Sequence, residues 1–129
     1  NYIMGIWLQK KVKDQQAADV LYHRNGLVSE FPRCNLFIVK ENDEIVTPAS
    51  HVLPGITRKK VLELSGKPYR IRESEVRLDE VYAAKEVFLT STTKRILPIV
   101  QVDNKLIGTG KPGSVSKAVL DRIIEFENN

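Results

Sequence analysis

Leu53-Pro54-Gly55-Ile56-Thr57-Arg58-Lys59-Lys60-Val61-Leu62-Glu63-Leu64-Ser65-Gly66 carries the chain from a turn into a helix and out again. Pro54 and Gly55 favour a bend, Thr57 is a residue type that caps a helix, and Val61, Leu62 and Leu64 supply an apolar face. Gly66 stands where a C′ glycine stops a helix, so the pattern predicts a helix over 57–65. Upstream, Asn25-Gly26 lies between Asp19-Val20-Leu21-Tyr22-His23-Arg24 and Leu27-Val28-Ser29-Glu30. That pair tolerates the positive φ of a type I′ turn, which predicts a hairpin. A second hairpin is predicted between 35–40 and 44–47 across Glu41-Asn42-Asp43, with Pro48 and Pro54 bracketing the loop that follows. Residues 2–18 carry Ile3, Ile6, Trp7, Lys10 and Val12 near the helical period, which predicts a first helix already under way at Asn1.

Downstream of Gly66 the pattern alternates. A strand is expected at 68–72, a helix at 78–84, and strands at 86–90 and 95–102. Asp103-Asn104-Lys105 turns the chain back toward Leu106-Ile107, and Val115, Val119, Ile123 and Phe126 repeat four or three apart as a helix laid on a sheet. Hairpins first and strand–helix alternation afterwards give a mixed α/β sheet, α+β in character, packed by helices. No Pro/Gly-rich linker divides it, so residues 1–129 are expected to form a single domain.

The 129 residues are 42% hydrophobic and 28% charged, the balance of a folded, soluble domain. The longest apolar runs are far too short to span a bilayer, so no membrane role is expected. One cysteine, Cys34, cannot close an intrachain disulfide, and no Cys/His cluster has zinc spacing, so no metal is expected and a reducing, cytoplasmic location fits. The net charge of +4 permits an anionic ligand. Aromatic residues are 7% and are not interleaved with the basic ones, so nucleic acid is not an expected partner.

Two stretches could carry chemistry. Pro54-Gly55-Ile56-Thr57-Arg58 runs a glycine turn into a helix start, where amide N–H groups and the positive end of the helix dipole converge as in phosphate sites; an ordinary capped helix reads the same way. Thr90-Ser91-Thr92-Thr93 places four hydroxyls after the apolar Val87-Phe88-Leu89, at the end of a strand where ligands collect in α/β sheets; a threonine run leaving the sheet is the alternative. Glu30, before Phe31-Pro32-Arg33-Cys34, could pair with a protonated ring nitrogen or lie on the surface. Neither His23 nor His51 lies near Cys34 in sequence to suggest a base for it, and Arg58-Lys59-Lys60 is expected to solvate a helix face.

The order of these pieces resembles the class IV aminotransferases, the fold-type IV pyridoxal-phosphate enzymes of the D-amino-acid and branched-chain type. The resemblance covers nearly all of the chain, and Thr-Ser-Thr-Thr is closer to the D-amino-acid branch. It implies the C-terminal, cofactor-binding domain of such an enzyme, with pyridoxal 5′-phosphate as cofactor and an amino acid and a 2-oxo acid as substrates. By position, it implies Glu30 against the pyridine nitrogen and Leu53 on one ring face. The amides at Gly55, Ile56 and Thr57, with the Thr57 hydroxyl, would take the phosphate, and Thr92 would complete the cup. Ser91 would lie beside the cofactor and Thr93 beside the substrate carboxylate. The family has glycine and small hydroxyl residues after the glutamate, where this chain has Phe31-Pro32-Arg33-Cys34, so Arg33 is a further candidate for an anion.

In the family the Schiff-base lysine lies a few residues before an Asn-Tyr pair like Asn1-Tyr2, and an N-terminal lobe precedes it. The 129 residues are therefore expected to be an inactive C-terminal part of a homodimeric parent. An aminodeoxychorismate lyase shares the cofactor cup and is the nearest enzymatic alternative. A degenerate, non-catalytic domain is the alternative of another class.

Overall fold

The computed structural model describes residues 2–8, 19–24, 27–28, 35–49, 55–64, 69–91, 95–102 and 105–128. Nine strands form one sheet: β1 (Tyr2–Leu8), β2 (Asp19–Arg24), β3 (Leu27–Val28), β4 (Asn35–Val39), β5 (Ile45–Pro48), β6 (Ile71–Ser74), β7 (Glu86–Ser91), β8 (Arg95–Val102) and β9 (Lys105–Leu106). Among the described residues three helices accompany them: α1 (Ile56–Glu63), α2 (Leu78–Ala83) and α3 (Ser114–Asn128). The strand order is β3-β2-β1-β8-β7-β4-β5-β6, with β9 paired to β8 beside the main path. Every pairing is antiparallel except β5 with β6, which run parallel and are joined through α1. The expected mixed sheet of early hairpins and a later strand–helix–strand crossover is therefore present.

Both expected hairpins form. His23 and Arg24 pair with Val28 and Leu27, and Ile38 and Val39 pair with Val46 and Ile45. The predicted first helix does not form at its beginning: Tyr2–Leu8 is a strand, antiparallel to both β2 and β8. The physical reason lies in the residues. Ile3, Ile6 and Trp7 are β-branched or aromatic types that favour strands, and the slot between β2 and β8 satisfies backbone groups on both edges. The rest of that expectation, residues 9–18, lies outside the described residues. The strand predicted at 68–72 begins later, at Ile71, because its register is set by pairing with β5 from Ile45↔Ile71 to Pro48↔Ser74.

The central strands are buried on both faces. In β4, Leu36 and Ile38 join one apolar cluster with Val87, Leu89 and the α2 residue Val81. Phe37 and Val39 join the opposite cluster with Phe88, Val61 and Leu64 of the α1 segment, and Val119 and Ile123 of α3. A strand covered on both sides reads as a continuous apolar run rather than an alternating one, which is why Asn35-Leu36-Phe37-Ile38-Val39 has no polar face. Phe37 and Phe88, directly opposite in register, stack with centroids 5.1 Å apart at the middle of the second cluster. The expected periodicity of α3 holds at Val119 and Ile123, both buried, and at Val115, which is partly buried.

Glu86, the first residue of β7, closes the amino end of α3 from the sheet. Its carboxylate accepts hydrogen bonds from the Val115 amide at 3.0 Å, the Ser116 amide at 2.8 Å and the Ser116 hydroxyl at 2.7 Å. First-turn amides have no partner within their own helix, and a carboxylate there also meets the positive end of the dipole.

Candidate anion site at the start of α1

The helix predicted from Gly55-Ile56-Thr57 is α1, and Gly55 is its N-cap, extended at φ −66° and ψ 147° and making no side-chain cap hydrogen bond. Thr57, expected as the cap, is instead the second helical residue and is buried. The cap sits earlier because Gly55 rests against the sheet. A Cβ added at Gly55 would collide with Oδ1 of Asn35, so only a residue without a side chain allows α1 to come this close. Ile56 is 64% exposed, so no core contact holds its side chain and its place at the helix start is a matter of backbone.

Asn35 and Thr90 face each other across β4 and β7, two register positions from the stacked phenylalanines and so, by strand alternation, on the same face as α1. Asn35 is 4% exposed and Thr90 1%. The Thr90 hydroxyl is buried and has no hydrogen-bond partner among the described residues. An unpaired buried hydroxyl costs free energy, and such orphans mark places where another acceptor or donor belongs. The carboxyl end of β7 thus brings a free hydroxyl to the side of the sheet on which α1 begins.

Arg58, expected on a solvated face with Lys59 and Lys60, is buried at 8% exposure. One guanidinium nitrogen, Nη2, donates to the Pro48 carbonyl at 3.1 Å and to the Glu73 carboxylate. The helical period explains the correction: Arg58 is three residues before Val61, on the face that α1 turns to the sheet. At the opposite, entering end of the β5–β6 pair, the hydrogen bond from Arg72 holds the Glu44 carboxyl below the ordinary glutamate range.

Of the expected site residues, Gly55, Ile56 and Thr57 are together at the start of α1, and Ser91 is the last residue of β7, paired with Arg95. Glu30, Arg33, Leu53, Thr92 and Thr93 lie outside the described residues, as do Cys34 and His51. Thr90 and Arg58 belong to the two stretches read as candidate ligand sites but carry no role of their own in the sequence reading, and Asn35 belongs to neither stretch. The signal for Asn35 was the period of two, which puts it on the face of Phe37 and Val39. Among the described residues no group of His, Cys, Asp or Glu could hold a metal ion, and no helix is long and apolar enough to cross a membrane.

Residues 1–102 match the model of the family described as amino-transferase class IV. The chain belongs to this family. Among class IV relatives, it is 36% identical over 123 residues to a D-alanine aminotransferase of Bacillus licheniformis, covering 92% of this chain and 43% of that protein. The branched-chain amino acid aminotransferase of Escherichia coli superposes with a TM-score of 0.74 at 31% identity, covering 94% of this chain and 37% of that one. The same enzyme type from Thermobaculum terrenum, solved in its PLP form, gives a TM-score of 0.78 at 26% identity over 92% of this chain and 40% of that one. The chain thus spans less than half the length of these class IV relatives, and their shared fold is the one described above.

Proposed function

We propose that this chain is the cofactor-binding part of a pyridoxal 5′-phosphate-dependent aminotransferase, which moves an amino group between an amino acid, D or branched-chain, and a 2-oxo acid. The observation that carries the reading is the bed of α1. A glycine-capped helix start without a side-chain cap lies against Asn35, on the face where the buried Thr90 hydroxyl lacks a partner. Those features suit a phosphate monoester, which offers acceptor oxygens and negative charge to helix amides and hydroxyls.

When bound, the cofactor supplies an aldehyde that condenses with the substrate amine and a protonated pyridine ring that draws electron density from the substrate Cα. Gly55, Ile56 and Thr57 are assigned to the phosphate, with Thr92 completing the cup. Glu30 is assigned to the pyridine nitrogen, where a carboxylate keeps the ring proton in place. Leu53 would cover one ring face and exclude water from it. Ser91 would lie beside the cofactor, while Thr93 and Arg33 would bind and orient the substrate carboxylate; a guanidinium fork suits that anion. Residues 1–129 form one domain of a cytoplasmic homodimer in this reading.

The test is an assay of the full-length protein with D-alanine and with branched-chain amino acids as donors and 2-oxoglutarate as acceptor. Amino-acid-dependent formation of a new 2-oxo acid is the expected result. Release of p-aminobenzoate from aminodeoxychorismate without transamination would replace the reading with a lyase, and neither activity would reduce it to a binding domain.

A further inference from the structure

We propose that Arg58 is the positioning residue of the phosphate cup, tying the first turn of α1 to the carboxyl ends of the parallel strands β5 and β6 and keeping a buried positive charge within that turn. The inference rests on the function proposed above and deepens it.

A cation is out of place at this position. Arg58 lies in the first turn of α1, at the positive end of the helix dipole, and that turn has no acidic residue. The guanidinium is also largely removed from water, with its side chain 9% exposed. Burying a charge is costly unless all its groups are paired, yet Nε is buried and has no partner among the described residues. Among the described residues the carboxylate that meets it is Glu73, which is 49% exposed, so solvent screens much of its compensation. Lys59, the next residue, shows that the helix has an exposed face available for a cation.

An anion at the start of α1 offsets both penalties. A phosphate there is attracted by the dipole and by the guanidinium together, and the buried charge gains a second counter-charge besides the half-exposed Glu73. The hydrogen bonds of Arg58 suit a positioning role as well. Pro48 ends β5 and Glu73 lies in β6, so one side chain joins both strands of the parallel pair to the helix between them. The turn is thereby fixed before the ligand arrives, which spares the ligand the cost of ordering it.

The experiment compares the full-length protein with R58M and R58K for binding of pyridoxamine 5′-phosphate and of pyridoxamine, neither of which forms a covalent bond to the protein. Inorganic phosphate is added as a competitor, and melting without ligand reports folding. Expected for R58M is a loss of about tenfold in affinity for the phosphorylated ligand, with less than about a twofold change for pyridoxamine and weaker competition by phosphate. R58K should recover part of the loss, because an ammonium keeps the charge without the fork. Equal losses for both ligands, or none for either, would overturn the role of Arg58 while leaving the proposed function standing. A wild-type protein with no preference for the phosphorylated ligand would sink the proposed function and this inference with it. If R58M does not fold, the same ligand ratio measured on R58K decides.

Discussion

Replacing Glu86 by alanine removes three hydrogen bonds at once from the first turn of α3. The variant is expected to lose about 1–3 kcal/mol in urea unfolding, the cost of leaving buried donors unpaired. Gly113→Ala should reproduce part of that loss, because a Cβ there would collide with the Glu86 side chain. Equal stability of E86A and the parent would show that the α3 amides find other partners. Glu86 was legible only as the first residue of a strand, since nothing local says that its partners lie 29 and 30 residues away. Arg58 shows the opposite failure. Its burial was available from the helical period, but a basic triplet suggests solvent, and the structure splits the triplet between two faces.

At the scale of elements, β5 and β6 are held at their entering end by Glu44 and Arg72. The hydrogen bond from Arg72 lowers the folded-state pKa of Glu44 below its ordinary value of 4.5. Its contribution to stability is therefore fully present above that ordinary value and disappears as pH falls through the lowered one. The difference in stability between the parent and E44Q should be largest near neutrality, close in acid, and shrink with added salt. A pH-independent difference in chemical denaturation would argue against the ion pair. Elements whose signals are local were readable beforehand: Asn25-Gly26 between β2 and β3, the polar tip between β4 and β5, and the four-or-three spacing of α3. β1 was not, because isoleucines and a tryptophan three and four apart fit a helix as well as a strand. Only the neighbours β2 and β8, distant in sequence, decide between the two.

The whole molecule depends on a sheet covered on both sides, with the Phe37–Phe88 stack at the centre of one cluster. Phe88→Ala is expected to cost about 3–5 kcal/mol, a large part of the stability of a domain this size, and to lower the urea midpoint accordingly. A loss below about 1 kcal/mol would mean that the cluster closes around the vacancy. Fold class was legible because hairpins precede the crossover along the chain. The bed of the candidate site was not, since it joins Asn35, Gly55 and Thr90 from three separate segments, and their apposition is a product of pairing and packing. Strand β7 has fixed tasks at both ends, the α3 amides at Glu86 and the α1 side of the sheet at Thr90. One residue inserted or deleted between them would turn one of those side chains to the opposite face. Homologous chains should therefore vary in residue type along this strand far more readily than in its length, and an alignment gap there would signal the loss of either the α3 anchor or the anion site.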